Sequence, residues 1–273
     1  MTWYGGDVTD QKAIERMLGK AEPDRIFHLA GIQKSGDFRK FYEVNLQGTI
    51  DLFEAVVKRG LAPRILVAGS SAVYGSSAGS RPLTEGSELR SMTHYGLSKT
   101  AQEMAAFQYL RVHNMAVACA RTFNLIGPGQ SPEMACSGFA RQIARAERSP
   151  AADTIVTGDL RPKRDFVDVR DAVRAYDVIL RSNPRGDIYN VCSGKAVAVQ
   201  RCLEILIGMA RVPLKTVQAG RDAKNYDVPI QVGSSAKLRN TTGWTPKIPL
   251  EKSLSDMLDY WRQRTESEPR AKT

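Results

Sequence analysis

The sequence predicts an α/β fold built on a doubly wound parallel sheet. Two kinds of segment support this class. Short apolar runs such as PDRIFHLAG and PRILVAGSS are typical of buried strands, and each is followed by a longer segment with helical spacing of its apolar residues. Strands that alternate with helices of ten or more residues form parallel sheets covered by helices on both faces. A chain of 273 residues is long enough to bury a large core around such a sheet.

The first half of the chain gives the clearest alternation. After GGDVTD, which resembles the end of a strand, Thr9 or Asp10 is placed to cap a first helix. A second helical pattern runs from Phe41 to Gly60. A polar loop from Gly75 to Thr93 then leads into a long helix that we expect to stop at Asn114, and MAVACARTFN is the next strand.

The second half is less regular, and its start is marked by the turn signal GPG. We predict a nucleotide-binding domain over residues 1–126. Residues 127–273 are predicted to form mainly a substrate lobe, with some segments returning to the main sheet. The expected elements are a helix near 139–147, strands at TIVTG, RDFVDV and DIYNVCSG, and helices over 169–181, 199–210 and 250–264.

Composition excludes several classes of function. The formal net charge is +10, but acidic residues lie among the basic ones and no basic arm appears, so we expect no nucleic-acid partner. No apolar run is long enough for a membrane span, and no secretory leader opens the chain. The four cysteines lack CxxC or metal-ligand spacing. The sequence therefore predicts no metal site and a reducing, cytoplasmic location.

Tyr95 and Lys99 are the first candidates for chemistry. They lie four residues apart at the start of a predicted helix, which places both side chains on one face. A nearby ammonium lowers the pKa of a tyrosine and makes it a usable acid near neutral pH. Ser70, at the end of a predicted strand, lies where ligands bind in open α/β sheets and can hydrogen-bond a substrate oxygen. His28, before the small pair Ala30-Gly31, is more typical of a packed histidine than of a catalyst.

These motifs together resemble a known family. GDVTD, FHLAG, EVNLQGT, AGSSAVYG, YGLSK, RTFNLIGPGQ and RDFVDVRD occur in the order seen in the extended short-chain dehydrogenases/reductases that act on nucleotide sugars, the NAD-dependent epimerase/dehydratase family. The segments FNLIGPGQ, YNVCSGKAVAVQ and TGWTPKIPLEKSL are most similar to the GDP-6-deoxy-4-keto-mannose reductases. The resemblance implies a Rossmann-like sheet and a small C-terminal α/β substrate lobe.

The resemblance also assigns roles to individual residues. The implied catalytic set is Ser70, Tyr95 and Lys99. The residues implied to bind NAD or NADP are Asp7, Val8, Leu29, Ala30, Gly31, Asn45, Tyr95 and Lys99. The residues implied to bind substrate are Ser70, Ser71, Asn124, Arg164 and Lys224. For Arg164 a surface ion pair with Asp165 or Asp168 is an equal alternative. A homodimer joined through helices 45–57 and 95–111 is implied as well.

Two departures from the reductase pattern concern the residues that bind the nucleotide. Lys224 stands where the related reductases usually have an arginine, and Gly233-Ser234 replaces their usual Gly-Asp. A lysine keeps the positive charge but loses the bidentate geometry of a guanidinium. The identity of the nucleotide base is therefore open, with a GDP-linked sugar favoured by the resemblance.

Three reactions are possible on this scaffold. A 4,6-dehydratase needs an additional acid/base next to the catalytic hydroxyl, where this chain has Ala72 and Val73, so dehydration is disfavoured. We expect reduction of the C4 ketone of a nucleotide 4-keto-6-deoxy sugar, with a nucleotide-sugar 4-epimerase as the alternative. An inactive nucleotide-sugar-binding protein is the second alternative, since no Gly-rich phosphate-binding turn occurs in this sequence.

The segment GDVTD has a further implication through the resemblance. In the family this segment follows the third strand of the sheet, so the resemblance implies a Rossmann-like sheet that is truncated at its N-terminus. We therefore expect residues near Trp3 and Tyr4 to lack a pairing strand, and we expect the FHLAG strand to form an apolar edge.

Overall fold

The computed structural model describes residues 2–77, 79, 81–149, 153–182, 185–219 and 228–266. The described strands are β1 (Arg25–His28), β2 (Arg64–Ser70), β3 (Val117–Thr122), β4 (Asn124–Ile126), β5 (Thr154–Thr157), β6 (Lys163–Asp168), β7 (Asp187–Val191), β8 (Ala196–Ala198), β9 (Lys215–Gln218) and β10 (Ile230–Gln231). The described α-helices are α1 (Gln11–Ala21), α2 (Arg39–Phe41), α3 (Gly48–Lys58), α4 (His94–His113), α5 (Ala135–Ala146), α6 (Val169–Arg181), α7 (Val199–Gly208), α8 (Ala236–Thr242) and α9 (Leu250–Glu266).

The main sheet has the order β1-β2-β3-β7, and all of its strands are parallel. Its central strands β2 and β3 are mostly apolar because both of their faces are covered. Ile65 and Val67 of β2 pack with α1, α3 and α4 on one face, while Leu66 packs with α6 on the other. Helices on both faces of a parallel sheet confirm the predicted doubly wound class.

The second half of the chain builds a separate layer and also returns to the main sheet. Strand β6 pairs with β4 and β10 in parallel and with β8 in antiparallel orientation. Helices α5, α7 and α9 enclose a core that includes Leu254, Met257, Leu258 and Trp261, the face of the last helix expected from its spacing. Strand β7 joins the main sheet beside β3. The boundary at residue 126 stays a prediction.

The ends of the helices follow local chemistry that the sequence already indicates. The carboxylate of Asp10 accepts a hydrogen bond from the backbone N–H of Ala13 at 3.1 Å and caps α1. Asn114 ends α4 in the left-handed region, with φ of 53°, a conformation that asparagine tolerates better than most residues. Between α2 and α3 the chain forms a π-helical segment, Tyr42–Gln47, a type of distortion that is frequent at functional sites.

The N-terminal residues differ from the expected strand end. Residues 2–7 have no regular structure, because β1 lies at the edge of the described sheet and no described strand pairs with its outer side. Phe27 of β1 is 42% exposed, which fits the expected apolar edge. The short strands β4, β8, β9 and β10 and helix α8 were not indicated by the sequence pattern, since segments of two to seven residues carry too little periodicity.

Two further expectations can be compared with the structure. Cys119, Cys136, Cys192 and Cys202 are all free and buried. Among the described residues, none of the helices is long and apolar enough to cross a membrane.

Candidate active site

A cavity of about 750 Å³ opens at the carboxyl ends of β2 and β3 and continues between the main sheet and the second layer. The lining that comes from the main sheet and α4, called the sheet wall, includes Ser70, Tyr95 and Lys99. The lining that comes from the second layer, called the second wall, includes Arg164 and Gln231. Ligands of open α/β sheets bind at this edge. The fold therefore brings the three residues predicted to be catalytic into one cavity.

Ser70 is held by the turn that follows its strand. It is the last residue of β2, and its Oγ accepts a hydrogen bond from the backbone N–H of Ala72 at 3.2 Å, capping a short 3₁₀ turn over Ser71–Val73. The Ser70 side chain also lies close enough to that of Tyr95 to lower its pKa. The serine thus lies beside the tyrosine in the cavity wall.

Tyr95 and Lys99 lie on the first turns of α4. The hydroxyl of Thr93 accepts the N–H of Gly96 at 3.0 Å and fixes the start of this helix. Gly96 is required there because a Cβ atom would lie 2.6 Å from the backbone oxygen of Ala72. The backbone of α4 therefore packs closely against the backbone of the turn after β2.

The electrostatics of the pair differ from the sequence expectation. Burial raises the pKa of Tyr95, and the nearby Ser70 side chain opposes this effect only in part. The lowering expected from Lys99 does not appear, because the Lys99 ammonium donates to the backbone oxygen of Ala68 at 3.0 Å and to Oε1 of Gln102 at 2.9 Å. Burial also lowers the pKa of Lys99 to about 8.

Asn45 links two parts of the site. Its Oδ1 accepts from the N–H of Ile32 at 2.8 Å, and its Nδ2 donates to the backbone oxygen of Ile32 at 3.0 Å and to the hydroxyl of Ser98 at 3.0 Å. The residue is fully buried in the π-helical segment. Asn45 therefore joins the loop after β1 directly to α4, through the hydroxyl of Ser98.

The other residues predicted to bind the cofactor lie in two places. Gly31 lines the main cavity, and a Cβ atom there would lie 3.2 Å from Nζ of Lys99. Asp7, Val8 and Ala30 line a second cavity of about 250 Å³ beside β1. Leu29 lines both cavities and connects them. The Asp7 carboxylate accepts two hydrogen bonds from Thr9, which lower the pKa of Asp7.

On the substrate side, Asn124 and Arg164 both line the main cavity. Nδ2 of Asn124 donates to the backbone oxygen of Asp165 at 3.2 Å, and Nη1 of Arg164 donates to the backbone oxygen of Val228 at 2.5 Å. The carboxylate of Asp165 accepts hydrogen bonds from Ser193, Gly194 and Gly233. Lys224 lies outside the described residues.

Ser71 has a structural role that the sequence did not indicate. Its hydroxyl donates to Oε1 of Gln231 at 2.8 Å, and Nε2 of Gln231 donates to the backbone oxygens of Ser71 and Gly75 at 3.0 and 2.8 Å. This buried bridge fastens β10 to the turn after β2. No signal in the sequence pointed to a pairing between residues 160 positions apart.

Three buried polar residues near Lys99 also escaped the sequence analysis as a group: Gln102, Thr49 and His28. Gln102 lies three residues after Lys99 on α4, so helical spacing places it on nearly the same face. Within the described part of the chain, no cluster of histidine, cysteine and carboxylate residues has the arrangement of a metal site.

Comparison with known proteins identifies the family. The family model described as GDP-mannose 4,6 dehydratase matches residues 1–257. The chain is 35% identical over 251 residues to the GDP-6-deoxy-D-mannose reductase of Pseudomonas aeruginosa, covering 90% of this chain and 83% of the relative. It is 26% identical over 283 residues to the UDP-glucose 4-epimerase of Bacillus subtilis, covering 96% of this chain and 81% of the relative.

A solved structure agrees with these matches. The structure of RMD from Pseudomonas aeruginosa complexed with NADPH superimposes with a TM-score of 0.89 at 34% identity, covering 95% of this chain and 88% of that chain. Together with the wound sheet and the cavity that holds Ser70, Tyr95 and Lys99, these matches confirm the family expected from the motifs. The chain belongs to the GDP-mannose 4,6-dehydratase family of extended short-chain dehydrogenases/reductases.

Proposed function

We propose that this protein reduces the C4 ketone of a nucleotide 4-keto-6-deoxy sugar, with NADH or NADPH as the reductant. The observation that carries the proposal is the convergence of Ser70, Tyr95 and Lys99 on one cavity. The similarity to a GDP-6-deoxy-D-mannose reductase supports the choice of reaction and a GDP-linked substrate.

The residues next to Ser70 favour reduction over dehydration, despite the name of the family. Elimination of water from C5 and C6 needs a further acid/base close to the catalytic hydroxyl. Ala72 and Val73 occupy the turn after Ser70, and neither side chain can transfer a proton. Among the described residues that line the cavity, Asp159 is the one carboxylate, and it is paired with Arg161.

The cavity fits the nicotinamide end of the cofactor. Gly31 leaves open the space beside the Lys99 ammonium that a Cβ atom would fill, and Lys99 is placed to bind a ribose hydroxyl there. Asn45 keeps the loop that carries Gly31 in register with α4. Asp7, Val8, Leu29 and Ala30 are proposed to line the adenosine side, because Leu29 connects the two cavities.

The proposed mechanism assigns one task to each residue. When bound, the reduced cofactor supplies the hydride for C4 of the sugar. Ser70 donates a hydrogen bond to the C4 carbonyl oxygen and polarises it. Tyr95 then gives its proton to that oxygen as the alcohol forms. The raised pKa of Tyr95 keeps its proton in place until the oxygen becomes basic.

The nucleotide is proposed to lie against the second wall. Asn124 and Arg164 line this wall, and a guanidinium is well shaped for a phosphate group. Lys224 is proposed to add a positive charge from the same side. The Ser71 hydroxyl is used by Gln231, so in this proposal Ser71 shapes the wall and does not hydrogen-bond the substrate through its side chain.

A homodimer joined through the helices of residues 45–57 and 95–111 is part of the proposal. On α4, Leu97 is 50% exposed and Met104 is 66% exposed, and Val112 is also exposed. Apolar side chains on the outer face of a helix are typical of an interface. A monomeric mass in light scattering at micromolar concentration would contradict this part. A cytoplasmic location is also proposed, supported by the four unpaired cysteines.

The test mixes the protein with NADPH or NADH and GDP-4-keto-6-deoxymannose, and follows the absorbance of the reduced nicotinamide. Stoichiometric oxidation of cofactor and formation of the C4 alcohol support the reductase. An epimerase would interconvert C4 epimers, such as UDP-glucose and UDP-galactose, without net oxidation. Binding of nucleotide sugar with neither reaction would favour the inactive binding protein.

A further inference from the structure

A buried hydrogen-bond relay lies directly beneath Lys99. Oε1 of Gln102 accepts from the Lys99 ammonium at 2.9 Å, and Nε2 of Gln102 donates to the hydroxyl of Thr49 at 2.7 Å. Gln102 and Thr49 are completely buried, and they come from helices that are far apart in sequence, α4 and α3. The relay therefore depends on how these two helices pack.

The direction of every hydrogen bond in this relay follows from the number of hydrogens available. A threonine hydroxyl has one hydrogen, and that of Thr49 is donated to the backbone oxygen of Asn45 at 2.7 Å. The Thr49 oxygen must then accept from Gln102, which turns the amide oxygen of Gln102 toward Lys99. It must also accept from Nε2 of His28, 2.7 Å away. Burial and the nearby Lys99 lower the pKa of His28 to about 4, so a neutral, Nε2-protonated ring makes this contact.

The Lys99 ammonium depends on neutral dipoles for its stability. Its two described acceptors are the backbone oxygen of Ala68 and Oε1 of Gln102, and no described carboxylate forms an ion pair with it. A buried charge of this kind is stable only while its hydrogen bonds are made. An ammonium has three N–H groups, and the two acceptors direct the third toward the cavity that Lys99 lines.

We infer that Gln102, held by Thr49, is a positioning residue that aims the Lys99 ammonium into the cavity and keeps it protonated during the reaction. The inference rests on the proposed reductase function for its kinetic consequence. Gln102 does not line the cavity among the described residues, so it acts through Lys99 and not on the substrate.

The other titratable groups around Lys99 do not interfere near neutral pH. His28 faces it from β1 and is neutral above about pH 4. Cys119 faces it from β3, and burial raises the pKa of this thiol well above its usual value. On α4 itself, burial raises the pKa of Tyr95, and Glu103 forms a buried ion pair with Arg121 of β3. Lys99 is thus the group expected to titrate on the alkaline side.

Two variants of similar size change the acceptor in opposite ways. Gln102→Met removes the acceptor, so the ammonium is less stable and the pKa of Lys99 falls by about one unit. Gln102→Glu keeps an oxygen and adds a negative charge, so the pKa of Lys99 rises by about 1–3 units. The alkaline limb of kcat/KM for ketone reduction should move in the same two directions.

Lysine side-chain NMR gives a second readout that does not depend on activity. Protein labelled with ¹³C and ¹⁵N in lysine is titrated, and the Lys99 signal is assigned by its loss in Lys99→Met. Opposite shifts of this titration in the two variants support the inference even if no reductase activity is found, in which case only the proposed function fails. An unchanged Lys99 titration in either folded variant overturns it.

A matched control separates positioning from stability. Ile179→Val removes one methylene from the core on the other face of the sheet and should lower the free energy of unfolding by about 1 kcal/mol. It should leave the Lys99 titration and the alkaline limb in place. Thr49→Val removes the hydroxyl that holds Gln102, so it should move the Lys99 titration in the same direction as Gln102→Met, by a smaller amount.

Discussion

The two walls of the main cavity are built in different ways. The sheet wall takes Ser70 and Tyr95 from elements whose starts and ends are fixed by local capping, through Ala72 and Thr93. The second wall takes Arg164 and Gln231 from the paired strands β6 and β10, and their side chains hydrogen-bond residues that are 64 and 160 positions away in the chain. In the proposed function, the chemistry thus lies on the wall that local sequence determines, and substrate recognition lies on the wall that depends on distant contacts.

This contrast predicts that substitutions on one wall change mainly kcat and that substitutions on the other wall change mainly KM. Changes on the sheet wall should lower the rate of the chemical step, because Ser70 and Tyr95 contact the reacting carbonyl in the proposed mechanism. Changes on the second wall should weaken nucleotide binding or loosen the wall itself. Four substitutions test the two walls, in order of decreasing expected effect. Tyr95→Phe and Arg164→Lys test them by kinetics, and Asp165→Asn and Lys99→Met test them by stability.

The largest effect is expected for Tyr95→Phe. Loss of the proton donor should reduce kcat by about 10²–10⁴-fold, and the affinity for the nucleotide sugar should stay close to that of the wild type, because the second wall is unchanged. Steady-state kinetics and calorimetric titration measure the two quantities. Tyr260→Phe on α9 is the control and should retain full activity. A loss of less than about fivefold would exclude Tyr95 as the acid.

Asp165→Asn should damage the second wall most. Both carboxylate oxygens of Asp165 accept hydrogen bonds from donors of Ser193, Gly194 and Gly233, at 2.6 to 3.2 Å. An amide NH₂ group in place of either oxygen would face backbone N–H groups, which are also donors. These buried N–H groups would then have no acceptor. The free energy of unfolding should fall by about 3 kcal/mol.

Urea denaturation measures the effect of Asp165→Asn, and the same experiment on Asp177→Asn provides the control. Asp177 forms an ion pair on the surface of α6, so its substitution should cost less than about 1 kcal/mol. Equal stability of Asp165→Asn and the wild type would show that the second wall does not depend on this carboxylate.

The buried Lys99 makes stability depend on pH. Its pKa is lowered from 10.5 to about 8 in the folded state, so between these values the unfolded chain binds the additional proton. Stability therefore rises with pH across this window. Between pH 7 and pH 10 the free energy of unfolding of the cofactor-free wild type should increase by about 2–3 kcal/mol more than that of Lys99→Met.

Comparison with Lys99→Met cancels the contribution of the buried tyrosines, which titrate at higher pH and act in the opposite direction. Lys58→Met, at an exposed lysine paired with Glu15, is the control and should follow the wild type. Parallel pH curves for the wild type and Lys99→Met would mean that Lys99 is not buried as a charged group.

The smallest effect is expected for Arg164→Lys. The lysine keeps the charge but loses the planar fork, so KM for the nucleotide sugar should rise about tenfold with little change in kcat. Arg181→Lys, at a surface ion pair on α6, should leave KM unchanged. A fall in kcat with constant KM would place Arg164 at the reacting carbon and contradict the division between the walls.

Local sequence was enough to predict the wound sheet and the sheet wall. Strands β1, β2, β3 and β7 are short apolar runs separated by longer helical segments, and capping residues such as Asp10 and Asn114 mark helix ends within one or two positions. The spacing of Tyr95 and Lys99 and the strand end at Ser70 also depend only on local geometry. These features were predictable because each one involves residues that are close together in the chain.

The long-range contacts of the site depend on tertiary structure. The Ser71–Gln231 bridge, the Asp165 cluster and the relay from His28 through Thr49 to Gln102 each join segments that are 21 to 160 residues apart. A buried polar side chain must find a partner wherever packing supplies one, and one sequence does not reveal which partner that is. For the same reason the lowered pKa of Lys99 could not be predicted, since it depends on burial that only the folded chain creates.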